Sequence, residues 1–393
     1  MPTGRGLGTH KAGYPHVLPL HSSHIRLLKG VTAGVPESPH AIVVPSHRSA
    51  GHLDYAGRLA SLLGSTLVVV WSHPTVGVPL QHPFAGWSAV SPPAPPAVVV
   101  ASAGRFPAPW PGAASPAAPV LPGVRAGDQA DKRNLGVMLG RLLGWEHVLF
   151  LDDDVSGLDL AAIRRAVGSL KITRAASWRQ ADFPDNSVVC HAHRLVGGTQ
   201  DVFIGGAFLA TLGDDTPFFP PVYNEDWLFL YPWLVDRQVR YGGDVRQQPY
   251  DPFATPLRAA GEEFGDVLAE GLMELLHLEL SLPDADLQYW RRMIDARAAL
   301  IDWTEDSLGL ARVSRPERQA IRASLHAART ELGRIEPHLL AGFVSAWQGD
   351  LARWRQDLRA LQPVAQSLPE HLRLEQALDR LGLREHIAWA SWR

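Results

Sequence analysis

Short runs of consecutive apolar residues punctuate the first two thirds of the chain: Ala41–Val44, Leu67–Trp71, Val98–Val100 and Val148–Leu151. Each is too short for a helix and shows no polar alternation. Such runs predict strands buried on both faces, as in a parallel sheet. Pro45 is expected to end the first. Between the first two lies Gly51–Leu63, with Leu53, Ala56, Ala60 and Leu63 on one helical face and Gly64 as a stop signal. Strand, helix, strand in this order predicts a right-handed parallel crossover. Asp128–Leu143 and Leu158–Val167 read as further helices, and Val239–Val245 as a strand. Ser187–Leu195 reads as a strand with His191 and His193 two apart on one face. Tyr223-Asn224-Glu225-Asp226-Trp227 opens a helix to about Asp236, and Gly261–Leu280 is a long apolar helix.

Beyond Leu280 the pattern changes to helical repeats. Ile321, Leu325, Ala328, Leu332 and Ile335 recur at alternating four and three, and Leu340, Phe343, Trp347, Leu351, Trp354, Leu358 and Leu361 resume after Pro337. Ser314-Arg315-Pro316-Glu317 and Ser367-Leu368-Pro369-Glu370 read as capping boxes. These antiparallel helices present apolar faces suited to packing on the sheet domain or on a second subunit, which makes a homodimer through them an expectation. Residues 1–38 are rich in Gly, His and Pro and read as a loose arm. Residues 73–125 form a Pro- and Ala-rich insertion whose Phe84, Trp87, Phe106 and Trp110 need somewhere to pack. The expected organisation is therefore an arm (1–38), an α/β domain with a mainly parallel central sheet flanked by helices (39–280), and a C-terminal α-helical region (281–393).

Composition narrows the class. With 46% hydrophobic and 20% charged residues over 393 positions, the chain is globular. A net charge of −3 gives no reason to expect a nucleic-acid partner. One cysteine, Cys190, allows no intrachain disulfide and fits a reducing compartment. No apolar run has membrane-span length, and no signal peptide is evident, so a cytoplasmic protein is expected.

The chemistry concentrates where Phe150-Leu151 runs into Asp152-Asp153-Asp154. A buried parallel strand delivers its last residues to the carboxyl edge of the sheet, where open α/β folds bind ligands. Three adjacent carboxylates repel one another unless a cation lies among them, and Mg²⁺ or Mn²⁺ suits their oxygens. The same tripeptide also reads as a solvated loop capping the next helix. Glu225 and Asp226 suit a helix N-terminus on dipole grounds alone. The histidine pair reads more readily as surface polarity than as a metal site, and paired Gly205-Gly206 as either a bend or a close approach to a ligand.

Taken together, Ile42-Val43-Val44-Pro45-Ser46-His47-Arg48, Asp131-Lys132-Arg133-Asn134-Leu135-Gly136, Phe150-Leu151-Asp152-Asp153-Asp154-Val155, Gly205-Gly206-Ala207-Phe208 and Asn224-Glu225-Asp226-Trp227 follow an order and spacing that resembles family 2 glycosyltransferases and relatives with the GT-A fold, the nucleotide-diphospho-sugar transferase fold. The resemblance covers about residues 41–253. It implies a nucleotide-diphosphate sugar as donor and a divalent cation, Mn²⁺ or Mg²⁺, on Asp152 and Asp154. It implies that Pro45, Ser46, His47, Arg48, Lys132, Arg133, Asn134, Asp152 and Asp153 line the donor. Gly205, Gly206 and Trp227 would border sugar and acceptor. Asp226 would be the general base of an inverting transfer, with Glu225 orienting hydroxyls. Without a membrane span, the expected acceptor is a soluble small molecule.

The chain departs from that family in two places. The second strand ends Val70-Trp71-Ser72-His73 instead of in acids, and the position of a further metal-ligating His falls on Gln247 or Gln248, with His277 a remote alternative. A retaining transferase on the same fold, a sugar-nucleotide nucleotidyltransferase and a non-catalytic binding protein are the competing readings. The nucleotidyltransferase would need a glycine-rich loop after the first strand, and Ser46–Gly51 has one Arg and one Gly.

Overall fold

The computed structural model describes residues 23–31, 34–73, 96–110, 128–184, 186–199, 202 and 205–391. Phe84 and Trp87, most of the 73–125 insertion, and Phe203-Ile204 lie outside the described residues. The apolar runs become strands β2 (Ala41–Ser46), β3 (Thr66–His73), β4 (Ala97–Ala103) and β5 (His147–Leu151). They sit side by side in the order β5-β2-β3-β4, all parallel. Nearly every residue in them is buried.

The strand β2 continues through Pro45 to Ser46 and does not stop before it. Pairing with β5 ends at Val43 opposite Phe150, so Pro45 has one strand neighbour and not two. That is an edge-like position, where a missing N–H is tolerated. Beyond β5 the sheet turns mixed. The strand β8 (Ala207–Thr211) is antiparallel to both β5 and β7 (Ala175–Gln180), and β9 (Val239–Gln247) runs parallel to β7. The short β1 (Lys29–Gly30) and β6 (Val155–Ser156) pair with β9.

Alternate strand residues face opposite layers. Ile42, Val44, Leu67, Val69, Leu149 and Leu151 pack with helices α1 (Asp54–Leu63) and α3 (Leu160–Ser169). Val43, Val68, Val70, Phe150 and Phe208 pack in one continuous core with α2 (Gln129–Leu143) and helices from the C-terminal half. The approach of α2 is close: a Cβ on Gly136 would fall 2.9 Å from the Val43 methyls. Glycine there lets the helix backbone lie on β2.

Val188–Leu195 is not a strand but a helix, α4, capped by Ser187, whose hydroxyl accepts the Cys190 N–H. Two adjacent β-branched valines favour a strand locally. The cap and the burial of Val188, Val189 and Ala192 on one helical face outweigh that preference. His191 and His193 therefore diverge, and no metal pair forms. Next, α5 spans Glu225–Val235, and α6 runs over Pro256–His277, starting earlier than its apolar pattern suggests because Thr255 and Pro256 supply an N-cap and a first-turn proline.

The described residues of the arm are docked, not loose. Besides the β1 pairing, His24 is buried and hydrogen-bonded to Glu270 and His277 on α6. The tail comprises α7 (Leu287–Asp306), α8 (Arg315–Leu332), α9 (Pro337–Ala360) and α10 (Glu370–Arg380). Ser314 caps α8 as its sequence suggests, whereas α10 has Pro369 at its cap position in place of the Ser367 box. The tail's Leu and Trp stripes close the same core as the sheet face, so these faces are used within the chain. Trp354 donates to the Thr216 carbonyl at 2.9 Å, and the Val364 N–H to that of Leu142 at 2.8 Å. The last strand, β10 (Ile387–Ser391), adds antiparallel to β4 and covers that edge of the sheet.

One face of α6 is acidic yet buried: Glu262, Glu263, Asp266, Glu270 and Glu274. Arg297 on α7 meets this stripe, 2.6 Å from a Glu263 oxygen and 2.6 Å from Asp266. Arg297→Leu should therefore leave two buried carboxylates unneutralised and cost roughly 3–5 kcal/mol. Urea unfolding at neutral pH measures it; a loss below about 1 kcal/mol would show that the pair is not the tail's anchor.

Candidate active site

The carboxyl ends of β2 and β5, the second turn of α2, the loop before β8 and the start of α5 converge at one place. Asp152 leaves β5 with its N–H donating to the Gly206 carbonyl at 2.7 Å. Its Oδ1 accepts from Arg133 at 2.8 Å and from Gln129 at 3.3 Å. Asp153 accepts from the Ser46 hydroxyl at 2.5 Å and lies 3.4 Å from Arg48; Asp154 is paired to Arg48 at 2.6 Å. The loop after β2 and the loop after β5, about a hundred residues apart in sequence, are thus clasped by Ser46 and Arg48.

The Lys132-Arg133-Asn134 triplet divides its work. Lys132 is 1% exposed and spans inward to the Ser46 carbonyl at 2.9 Å and to Asp128 at 2.9 Å. Burial lowers its pKa, while Asp128 holds it charged. Asn134 donates to and accepts from the Phe219 backbone, both at 2.8 Å. The Phe219 ring in turn stacks on Phe229 of α5 at 4.0 Å. Lys132 thus fixes the end of β2, and Asn134 fixes the face on which α5 rests. Arg133 alone turns into the site. Its guanidinium reaches Asp152 at 2.8 Å, Glu225 at 2.5 Å and Asp226 at 3.9 Å.

Glu225 and Asp226 open α5, where the helix dipole favours anions. Asp226 Oδ1 accepts the Trp227 N–H at 3.0 Å. Burial raises the pKa of both carboxyls, and Arg133 opposes the rise. Glu225 is engaged by Arg133, not turned to an open acceptor space. The residue before them, Asn224, is left-handed at φ 63°. Its amide donates to Asp266 at 3.1 Å, and Asp266 is held by Arg297. The tail thereby sets the backbone that aims Asp226. Nothing in the local sequence announces Asp266, which sits within a helix read as simply apolar. Trp227 is 2% exposed and packs edge-on against His24 at 5.4 Å. It is a core residue, not a border of the sugar.

Gly205 and Gly206, both with positive φ, pass between the two carboxylate groups. A Cβ on Gly205 would stand 3.8 Å from Asp226 Oδ2 and 3.6 Å from Gln180 Nε2. Only glycine leaves this space open beside Asp226. On Gly206 the same atom would strike Val155 at 2.6 Å and come within 3.5 Å of Gln247 Oε1. Gln180, buried at the end of β7, donates to Gln247 at 3.1 Å. Gln180 is a site residue that no sequence pattern singles out. Gln247 lies beside Gly206 and Gln180, whereas His277 is tied to His24 and Arg26 on the arm.

At the end of β2, Pro45 and Ser46 are buried and His47 is exposed. Trp71 donates to the Arg48 carbonyl at 2.8 Å. An acid does stand beside Ser72 at the end of β3, but it comes from the residue before α2. Asp128 bonds Ser72, Lys132 and the Phe106 N–H, and its pKa falls despite its burial.

The donor set fits a hard divalent cation. Burial, together with the neighbouring Asp152 and Asp153, pushes Asp154 up to about 6 in spite of Arg48. Five carboxylates, Asp152, Asp153, Asp154, Glu225 and Asp226, here share Arg48 and Arg133. Among the described residues no group of three His, Cys, Asp or Glu forms a ready metal cage.

No family model matches this chain, and no curated protein matches it. Among solved structures it is similar to the mannosyltransferase PcManGT from Pyrobaculum calidifontis, determined in complex with GDP-Man and Mn²⁺. The identity is 15%, the TM-score 0.39, and the match covers 83% of this chain and 93% of that one. Likeness at this level reaches neither substrate nor mechanism. No described helix is long and apolar enough to cross a membrane.

The diverging histidines have separate environments. His193 contacts Thr304 at 3.2 Å and the Trp303 ring at 5.2 Å. His191 stacks on Phe183 at 4.9 Å and meets the Tyr250 hydroxyl at 3.2 Å. Burial, with Arg194 and Arg258 nearby, lowers its pKa to about 4. The unfolded chain would bind this proton near 6.5, the folded chain only near 4. The neutral ring's full contribution is therefore present above pH 6.5 and is lost as pH falls toward 4, by up to roughly 3 kcal/mol. Thermal unfolding followed across that range should steepen in the wild type and flatten in His191→Gln; identical slopes would contradict the assignment.

Proposed function

We propose that this chain is a nucleotide-sugar-dependent glycosyltransferase of the GT-A type, probed most directly through a donor-plus-cation site at Asp152–Asp154. The observation that carries the reading is the bridge made by Arg133 between Asp152 at the end of β5 and the Glu225-Asp226 pair at the start of α5. It sets a site for a departing anion beside a site for an incoming nucleophile.

The chemistry is a displacement at the anomeric carbon. The acceptor hydroxyl oxygen forms the new C–O bond, the bond from that carbon to the diphosphate breaks, and the diphosphate leaves with the electron pair. Asp226 takes the hydroxyl proton. Its Oδ2 faces the space left by Gly205, and burial raises its basicity above that of a free carboxylate. Asp152 and Asp154 would hold the divalent cation, which supplies Lewis-acid charge to the leaving diphosphate when bound. Arg133 adds a fixed positive charge between the two half-sites and needs no reorganisation during reaction. Arg48 holds Asp153 and Asp154 together and bears on the same phosphates. Pro45 to Arg48, with Trp71 and Asp128, form the nucleoside side. Glu225 orients Arg133, and attack assisted by Asp226 on the face away from the departing diphosphate would invert the anomeric carbon.

Calorimetry with nucleoside diphosphates, with and without Mn²⁺, tests the donor half. Mn²⁺ should tighten binding about tenfold or more, near 1.4 kcal/mol, and Asp154→Ala should erase that gain. Binding that ignores the metal would remove Asp152 and Asp154 from this role. For the acceptor half, Asp226→Asn should leave donor binding intact and slow transfer by roughly 10²–10⁴. Near-normal turnover would reject Asp226 as base.

A further inference from the structure

Next to this cluster, on the far side of Gln180, lies a cleft of about 910 Å³ that no step above uses. The volume is in the range of clefts that hold small organic ligands, about 300–1,000 Å³. Its floor is aromatic. Phe183, half-buried, lies with one face on His191 and its edge toward Tyr250 at 5.2 Å. Tyr250 carries the Arg258 guanidinium 4.2 Å above its ring and accepts its N–H at 2.7 Å. The rim is polar and mixed in sign, with Gln180, Arg179, Arg194, Thr199, Asp251 and Glu317 around it.

The chemistry of the walls selects the occupant. Arg179 is held by Asp244 through two bonds of 2.9 and 3.0 Å, and Asp251 and Glu317 contribute negative charge. An anionic ligand would face two carboxylates here and find one arginine already neutralised. His191, neutral above about pH 4, adds no cationic attraction. A wholly apolar ligand would desolvate Gln180, Asp251 and Arg194 without replacing their hydrogen bonds. A ring with one C–H face and a rim of hydroxyls satisfies both parts, lying on Phe183 and Tyr250 and bonding the polar rim.

Gln180 is shared between the cleft and the surroundings of Asp226. It lines the cleft, and Gln180 Nε2 and Asp226 Oδ2 both lie within 3.8 Å of the position of the absent Gly205 Cβ. We infer that this cleft is the acceptor subsite and binds a neutral carbohydrate ring, whose reacting hydroxyl passes Gly205 to reach Asp226. The word acceptor rests on the glycosyltransferase reading; the binding of a neutral sugar to these walls does not.

The two are separable by experiment. Ligand-observed saturation-transfer NMR with methyl hexopyranosides needs no donor and no turnover. The full-length wild type should bind at least one of them, with saturation strongest on C–H protons of one ring face. Phe183→Ala should weaken that binding at least tenfold. Thr199→Trp, at an exposed wall position, should block it without removing a packed side chain, and circular dichroism checks that both variants fold. No binding of any neutral hexopyranoside by the wild type, binding unchanged in both variants, or preference for inorganic phosphate or a flat aromatic glycoside would overturn the inference. If neutral sugars bind here while no nucleotide sugar stabilises the protein with Mn²⁺, the transferase reading falls and the cleft stands as a carbohydrate site.

Discussion

The site depends on one buried cation. Arg133 has lost its water, and that loss is offset only because Asp152 and Glu225 meet its guanidinium at 2.8 and 2.5 Å with Asp226 close behind. The dependence runs both ways, since Glu225 and Asp226 are themselves buried, Asp152 is half-buried beside them, and the three would repel one another without it. Arg133 can stand there because α2 lies directly on β2, an approach that Gly136 permits. Its neighbours in sequence fix its position from both sides. Lys132 ties the helix to the end of β2, and Asn134 ties it to the Phe219 strap that supports α5. One turn of helix thus clamps a strand end, a loop and a second helix around a single charge.

That arrangement explains why some of the molecule is legible in its sequence and some is not. Wholly apolar runs fix β2, β3, β4 and β5, because a strand buried on both faces has no polar alternative. Asp152–Asp154 and Glu225-Asp226 also stand out, since carboxylates next to buried segments are costly. What each triplet residue does is not legible. Lys132-Arg133-Asn134 offers three polar side chains in a row, and only the helical rotation against β2 decides which one faces the ligand. The strand reading of 187–195 fails for a related reason: Val188-Val189 and the spaced histidines mimic alternation, while the Ser187 cap and the apolar neighbours on both sides specify a helix. Trp227 is assigned by its place in a motif but packed by its surroundings. Gln180, Asp128 and Asp266 carry no local signal, for their importance comes from chain-distant partners.

The charge pattern of α6 shows what the tail contributes. An amphipathic helix ordinarily turns its acids to water, yet Glu262, Glu263, Asp266, Glu270 and Glu274 face protein. Burial raises the pKa of Glu262, Glu263 and Asp266, so these groups weigh against stability when charged. Arg258, Arg297 and His24 meet the stripe from the helix itself, the tail and the arm. The tail thus supplies Arg297 to neutralise a region that the sheet domain leaves charged. Through Asp266 and Asn224, one of these contacts reaches the backbone at Asp226.

A division of labour follows from where the walls come from. The cluster around Asp152 and Arg133 is built from strand ends and the α2 turn, all anchored in the sheet. The cleft beyond Gln180 draws on Ser23 of the arm, Arg194 of α4, Tyr250 and Asp251 after β9, and Glu317 at the start of α8. Only Arg179 and Gln180, at the end of β7, join these walls from the central sheet, and Ser23 and Glu317 come from outside residues 39–280. Substitutions there alter the shape and polarity of the cleft without disturbing Arg133 or its carboxylates. The Arg133 charge cluster is thereby built largely from other segments than the cleft walls. The two meet at Gln180 and Gly205, where a Cβ would stand 3.6 Å from Gln180 Nε2 and 3.8 Å from Asp226 Oδ2.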